Sequence, residues 1–308
     1  MTGKLLNFDI FYLNLFIFLL PITLITGSAL PDISITIYSL FFIFIYILSI
    51  KKENFSYINV FFLFLIFYFY LIINSLIHYD NFLHAITKSV PYIRIIIFIF
   101  ALKYLFSKHD LYGKIVTLSI LFVITDIFIQ FTLGKDIFGY PAYQSAGRLA
   151  GPFGDELKAG GYIARCFPIL LSTIYLINKN FLLRFFIILI TFFVIIITGE
   201  RTALILIFLV TIFHFYLFNE FKKFLFTLPF ILIIFGALVL SNQNIKERFI
   251  DASLNSIYQN ISYDSNSDIR HFFDSQWGAH YLSSYKMIKE NPILGIGIKN
   301  FRNVCNDN

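Results

Sequence analysis

Nine stretches of this chain are long enough to cross a bilayer and are apolar on every side. Approximately, they cover residues 10–28, 33–50, 58–77, 91–107, 112–133, 160–178, 181–198, 202–218 and 224–241. A helix packed on a water-soluble core keeps a polar stripe, whereas one that is apolar all round needs lipid as its solvent. A span takes about 20 apolar residues, and most of the 41 Phe and 19 Tyr fall inside these runs. Charged residues make up 14% of the chain, against about 25% in soluble domains, too few to cover a water-facing surface. The expected fold is therefore all-α, a polytopic transmembrane bundle of about nine spans.

The charges between the runs give the orientation. With the N-terminus inside, the inner segments hold Lys4, Lys51, Lys52, Lys103, Lys108, Lys114, Lys179, Arg184, Lys222 and Lys223, ten in all. The short outer loops hold Lys88, Lys135, Arg148, Lys158 and Arg201, which is five. This bias fits the positive-inside rule for an inner (cytoplasmic) membrane. The same clustering assigns the net charge of +6 to membrane orientation and argues against nucleic acid. The seventh and eighth spans are separated only by Gly199-Glu200-Arg201 and must form a tight hairpin.

Residues 1–241 thus read as a transmembrane helical domain with short loops, and 242–308 as part of a large outer loop. In that loop Trp277, Tyr281, Tyr285 and Ile288 recur at helical spacing up to Asn291-Pro292, where a helix should stop. A membrane protein of this plan is expected to return to the bilayer, so the chain reads as C-terminally truncated. Two cysteines, Cys166 and Cys305, exclude a disulfide framework and a cysteine-based metal site. The first apolar run is not followed by a small-residue cleavage site, so no cleavable signal peptide is expected.

The residues that could carry chemistry are charges at the outer face. Arg148 and Lys158, with Asp155 and Glu156 between them, precede the sixth span. They are either a solvated loop at a helix N-terminus or a place where Arg148 and Lys158 hold a phosphate and a carboxylate orients them. Arg201 in the hairpin either snorkels to the interface or faces an anion at the start of the eighth span. Arg270 and His271 lie in the last loop near His280. Arg94 and Arg165 fall inside spans, where snorkelling or helix–helix pairing explains them. Asp126 and Gln130 share a face of the fifth span at i, i+4, lining an outer cavity or bonding neighbouring helices. A set of cations beside apolar helices suits an amphiphile with an anionic head and a lipid tail.

Three stretches resemble the O-antigen polymerase and ligase membrane proteins. They are Gln130–Gly139 with Arg148–Glu156 and Gly160–Tyr162; then Thr198-Gly-Glu-Arg201-Thr-Ala; then Lys286–Phe301, which contains Pro292, Gly295 and Gly297. The resemblance implies a GT-C-like, metal-independent glycosyltransferase without a cofactor. It would act at the periplasmic face on an undecaprenyl-diphosphate-linked glycan, with a lipid A-core or a growing polysaccharide as acceptor and membrane lipids around it. By that resemblance Arg201 and Arg270 match the arginines that grip the diphosphate. The family's histidine base follows the Gly-Ile-Gly segment, so here it is expected beyond Asn308. A polysaccharide flippase or other secondary transporter of the same amphiphile is the alternative. It should show paired repeats with broken helices near the midplane, and the sequence has none.

Overall fold

The computed structural model of the protein describes residues 22–25, 29–48, 58–79, 82–108, 111–142, 148–251 and 276–306. These fold as α-helices with short 3-10 and π turns, and among the described residues the only extended pairing is an isolated bridge between Lys135 and Pro141. Six helices are long and apolar enough to cross a membrane, Val60–His78, Phe82–Lys103, Gly113–Leu133, Ala159–Ile177, Phe181–Thr198 and Phe221–Ser241. Two shorter apolar helices, Ala29–Phe44 and Arg201–Leu217, coincide with two more of the nine expected spans. The first expected span lies mostly outside the described residues.

In chain order the helices are α1 (Ala29–Leu48), α2 (Ile58–His78), α3 (Phe82–Ser89), α4 (Ile93–Lys108), α5 (Leu111–Leu133), α6 (Ala159–Ile177), α7 (Phe181–Thr198), α8 (Arg201–Leu217), α9 (Phe221–Ser241), α10 (Gln243–Lys246), α11 (Gln276–Glu290) and α12 (Phe301–Asn306). They form two compact units. One comprises Met1–Asn14, Asp32–Ser107 and Ile257–Asn308, the other Leu15–Pro31 and Lys108–Ser256.

Lipid as solvent explains the surface of both units. Phe62, Ile66 and Phe69 on α2, and Phe186, Leu232 and Ile233 on α7 and α9, are all more than half exposed. Among soluble proteins such a girdle of apolar residues would drive aggregation; here it faces acyl chains. In the first unit Arg94 pairs with Asp32 at 2.7 Å and with Thr36 Oγ1 at 3.0 Å, so it ties α4 to α1 rather than snorkelling. Arg165 is exposed on α6.

In the second unit α6 is the central helix. Tyr162, Ile163, Phe167, Leu170 and Leu171 are buried against its neighbours α5, α7 and α8. Small residues let these helices approach where lipid gives no hydrophobic drive between them. A Cβ on Gly113 of α5 would sit 2.3 Å from Thr173 Oγ1 of α6.

The expected tight hairpin is present. α7 is capped at its start by Asn180, whose side chain accepts from the Leu182 N–H. It ends at Gly199, which takes the left-handed conformation at φ 71° that an L-residue with a side chain resists. Glu200 is then the N-cap of α8, and Arg201 is its first residue. Arg184, counted from the sequence among the inner-side cations, is fully buried.

Candidate functional site

At one end of the second unit the α7–α8 hairpin, the segment before α6 and the turns after α9 meet around one carboxylate. Glu200 is 8% exposed. Its Oε1 accepts from the Gly160 N–H at 3.0 Å and forms an ion pair with Arg148 Nη2, also at 3.0 Å. Arg148 Nη2 donates in addition to the Leu157 carbonyl at 2.9 Å. Gly160 is required by this contact, because a Cβ there would lie 2.8 Å from Thr198 Oγ1 and 3.0 Å from two Glu200 side-chain carbons.

A third arginine joins them from the chain after α9. Asn242 caps α10 through a bond from the Ile245 N–H, and a π turn over Glu247–Asp251 follows. Irregular turns of this kind are common at functional sites. This one carries Arg248, whose Nε donates to the Gly199 carbonyl at 3.3 Å. Burial, and then the charges of Arg201 and Arg148, push the Arg248 guanidinium below its ordinary value, and Glu200 offsets part of that. Three guanidinium groups therefore face one carboxylate, and the local charge is three minus one, about +2. Among the described residues the Nε atoms of Arg148 and Arg201 are buried without a hydrogen-bond acceptor. Guanidinium donors held in that state are matched to an incoming anion with several oxygens.

The loop that delivers Arg148 is fastened to α5. Gln130 Oε1 accepts from the Gly151 N–H at 2.9 Å, and its amide nitrogen donates to the Tyr140 and Pro141 carbonyls. Asp126 Oδ1 accepts from the Ile137 N–H at 2.8 Å, and Asp136 Oδ1 from the Tyr140 N–H at 2.6 Å. The i, i+4 pair Asp126 and Gln130 thus bonds the following loop; it binds neither a neighbouring helix nor an open cavity. Both residues are almost fully buried.

Below the cluster lies an apolar groove of about 380 Å³. It is lined by Ile124, Thr125 and Phe128 of α5, by Leu189, Ile190, Phe193 and Val194 of α7, and by Ile234 of α9. Phe128 precedes the end of α5 by five residues, and Phe193 precedes the end of α7 by the same number. At 1.5 Å per residue those rings sit about 7 Å below the helix ends.

The sequence expectations meet this geometry unevenly. Arg148 and Arg201 are brought together. Lys158 pairs instead with Glu156 at 2.5 Å, both well exposed, and Asp155 is exposed beside them. Arg270 and His271 lie outside the described residues. His280 is on α11 with its ring 6.1 Å from Phe301. Arg248 and the coordinating part played by Glu200 were not read from the sequence. Arg248 belongs to no motif, and only the π turn returns it to Gly199.

Residues 186–307 match the sequence model of a family described as O-Antigen ligase. Over that segment, which is less than half of the chain, the chain is similar to the O-antigen ligase family. No curated protein and no solved structure gives a match. The chain itself is an all-α, multi-pass membrane protein. The matched segment contains Glu200, Arg201 and Arg248, while Arg148 lies before it.

Proposed function

We propose that this chain transfers or polymerises glycan from an undecaprenyl-diphosphate carrier at the periplasmic face of the inner membrane, as an O-antigen ligase-type glycosyltransferase. The observation that carries this reading is the gathering of Arg148, Arg201 and Arg248 near Glu200, in a unit that also holds an apolar groove. A diester of diphosphate has one negative charge on each phosphoryl group, which balances the cluster's net charge. The polyprenyl tail then runs along the groove, in the bilayer where it is soluble.

In the reaction an acceptor hydroxyl attacks the anomeric carbon of the donor glycan. The new glycosidic C–O bond forms as the C–O bond to diphosphate breaks, and the hydroxyl proton departs. Negative charge grows on the leaving diphosphate, so guanidinium groups aimed at it bind the transition state more tightly than the ground state. Arg201, whose guanidinium makes no ion pair with the described residues, is the principal donor. Arg248 adds a second contact, and Arg148, already shared with Glu200, a third. Arg270 remains a proposed further contact from the last loop, with Lys158, Glu156 and Asp155 at the rim.

The test is reconstitution in proteoliposomes with an undecaprenyl-diphosphate-linked glycan and an acceptor glycan. New glycosidic bonds, with release of undecaprenyl diphosphate, support the reading. Movement of the donor across the bilayer without any new bond overturns it and makes the protein a transporter.

A further inference from the structure

Helix α11 lies in the first unit and, among the described residues, is buried along one side. That side faces α12: the His280 ring is near Phe301, Cys305 Sγ is 4.0 Å from Ser283 Oγ, and Met287 is 4% exposed. On the opposite side Tyr285 and Ile288 are each 63% exposed, and Ile293, just past the helix, is 86% exposed. Tyr281, 64% exposed, shares that opposite face by helical register. Lys289 is exposed along its edge.

The depth of this face is fixed by α2. Tyr70 Oη donates to the Leu294 carbonyl at 3.0 Å, Asn74 Nδ2 donates to the same oxygen, and Tyr79 Oη donates to the Ile298 carbonyl at 2.7 Å. Gly297 sits against His78, where a Cβ would be 3.0 Å from the His78 Cβ. α2 is an apolar span ending at His78, and Tyr70 lies eight residues before that end, about 12 Å along the axis. The turn after α11 is therefore held beside the last turns of a bilayer-crossing helix. Next to it α2 presents Phe69, Ile73 and Ile77, each more than half exposed, to lipid. The aromatic face of α11 continues a surface that already faces acyl chains, at the level where aromatic rings and lysines accumulate.

We propose that α11 is an in-plane membrane-surface helix, with Tyr285, Ile288 and Ile293 in the boundary between headgroups and acyl chains and Lys289 at the phosphate level. The occupant of the face is the lipid surface itself. The proposal needs only that α2 crosses the bilayer and stands apart from the glycan chemistry.

Trp277 is the only tryptophan in the chain, which makes the test direct. The full chain is placed in nanodiscs of phosphatidylcholine brominated near the top of its acyl chains, and indole emission is compared with that in unbrominated lipid. Two further single-tryptophan versions carry Trp277→Phe with either Ile288→Trp or Lys286→Trp. The indole at position 288 should be quenched about twofold by the brominated lipid and be shielded from aqueous acrylamide. The indole at position 286 should show the reverse. If position 288 is quenched by acrylamide and not by lipid, the face is solvated and the proposal fails. If neither quencher reaches it, protein covers the face, and the proposal fails equally.

Discussion

Two arginine-centred clusters stand at opposite ends of the α6–α9 bundle, and they use the same side chain in opposite ways. At one end Arg184 is 0% exposed and closed in on every side. It pairs with Glu220 at 2.8 Å, meets His214 Nε2 at 3.4 Å and the Lys179 carbonyl at 3.5 Å, and lies 4.8 Å from the centre of the Tyr175 ring. Glu220 is also held by Lys223 at 2.6 Å. At the other end Arg148 pairs with Glu200, Arg248 donates to the neighbouring Gly199 carbonyl, and Arg201 has no ion-pair partner among the described residues. In the first cluster both cations, Arg184 and Lys223, are paired with Glu220, although the Arg184 Nε is buried without an acceptor among the described residues. The second has charge and donors in excess, which is the electrostatic condition for taking an anion. Sequence position alone does not separate Arg184 from Arg201, since each stands in the first turn of an apolar helix.

The largest effect expected from breaking this comparison is on stability at the closed end. Arg184→Ala leaves Glu220 with Lys223 alone and a hole beside Tyr175. Removing one member of a buried ion pair costs about 3–5 kcal/mol, so the variant should melt far earlier in detergent or fail to accumulate. Arg184→Lys should recover only part of this, because an ammonium cannot reach Glu220 and His214 while stacking on Tyr175. Wild-type melting of Arg184→Ala would show that the cluster is not closed. Acid should act there too. Burial raises the Glu220 carboxyl, but Lys223 and Arg184 outweigh it and hold the group below its ordinary value. Its contribution is present above the unfolded value of about 4.3 and is lost as pH falls through the lower folded value.

At the open end the signs reverse. Arg201→Ala should leave melting unchanged and slow glycan transfer about a hundredfold, which is the loss of one charge-assisted contact of about 3 kcal/mol to the leaving group. Arg201→Lys keeps the charge without the fork and should fall between. Near-full transfer by a well-inserted Arg201→Ala would make Arg201 an interface anchor only.

Gly160→Ala tests the link between the central helix and the hairpin, because its methyl group would collide with Thr198 and Glu200. Overpacking of this kind costs about 1–3 kcal/mol, here both in melting and in transfer. Loss of transfer should follow displacement of Glu200, with Arg148, and not unfolding. A variant that melts early yet transfers normally would separate Glu200 from the reaction.

Much of this organisation was legible in the sequence. Lipid-facing helices advertise themselves by being apolar all round, and eight of the nine expected spans overlap helices found in the structure. Gly199-Glu200-Arg201 also stated its hairpin outright, since three residues between two apolar runs permit little else. The helix over Trp277–Ile288 ended where Asn291-Pro292 said it should. What sequence could not give was pairing across distance. Arg184 counted as a topogenic charge, and nothing local says that Glu220, His214 and Tyr175 close over it. Arg248 follows a span in an unpatterned polar stretch, and its approach to Gly199 depends on a π turn. Asp126 and Gln130 were visible as a pair, but their partners are backbone groups of a loop, which leave no mark in side-chain spacing.

The smallest expected effect draws the boundary of the open cluster. Lys158 lies in the same segment as Arg148 and has the same charge, so a purely electrostatic view of the loop would weight them equally. Their surroundings differ. The Lys158 side chain is 56% exposed and its partner Glu156 is 47% exposed, whereas Arg148 is 18% exposed against a Glu200 that is 8% exposed. Solvent screens an exposed pair until it contributes almost nothing, and a lysine ten residues past Arg148 must leave Glu156 to reach an anion at the hairpin. Lys158→Ala should therefore keep transfer within about twofold of wild type and leave melting unchanged, while Arg148→Ala loses transfer about tenfold through a contact worth about 1.4 kcal/mol. Both variants belong in one proteoliposome assay at low and at moderate salt. If Lys158→Ala loses as much as Arg148→Ala at both, the anion site extends along the loop to the rim. The cluster drawn around Glu200 would then be too small.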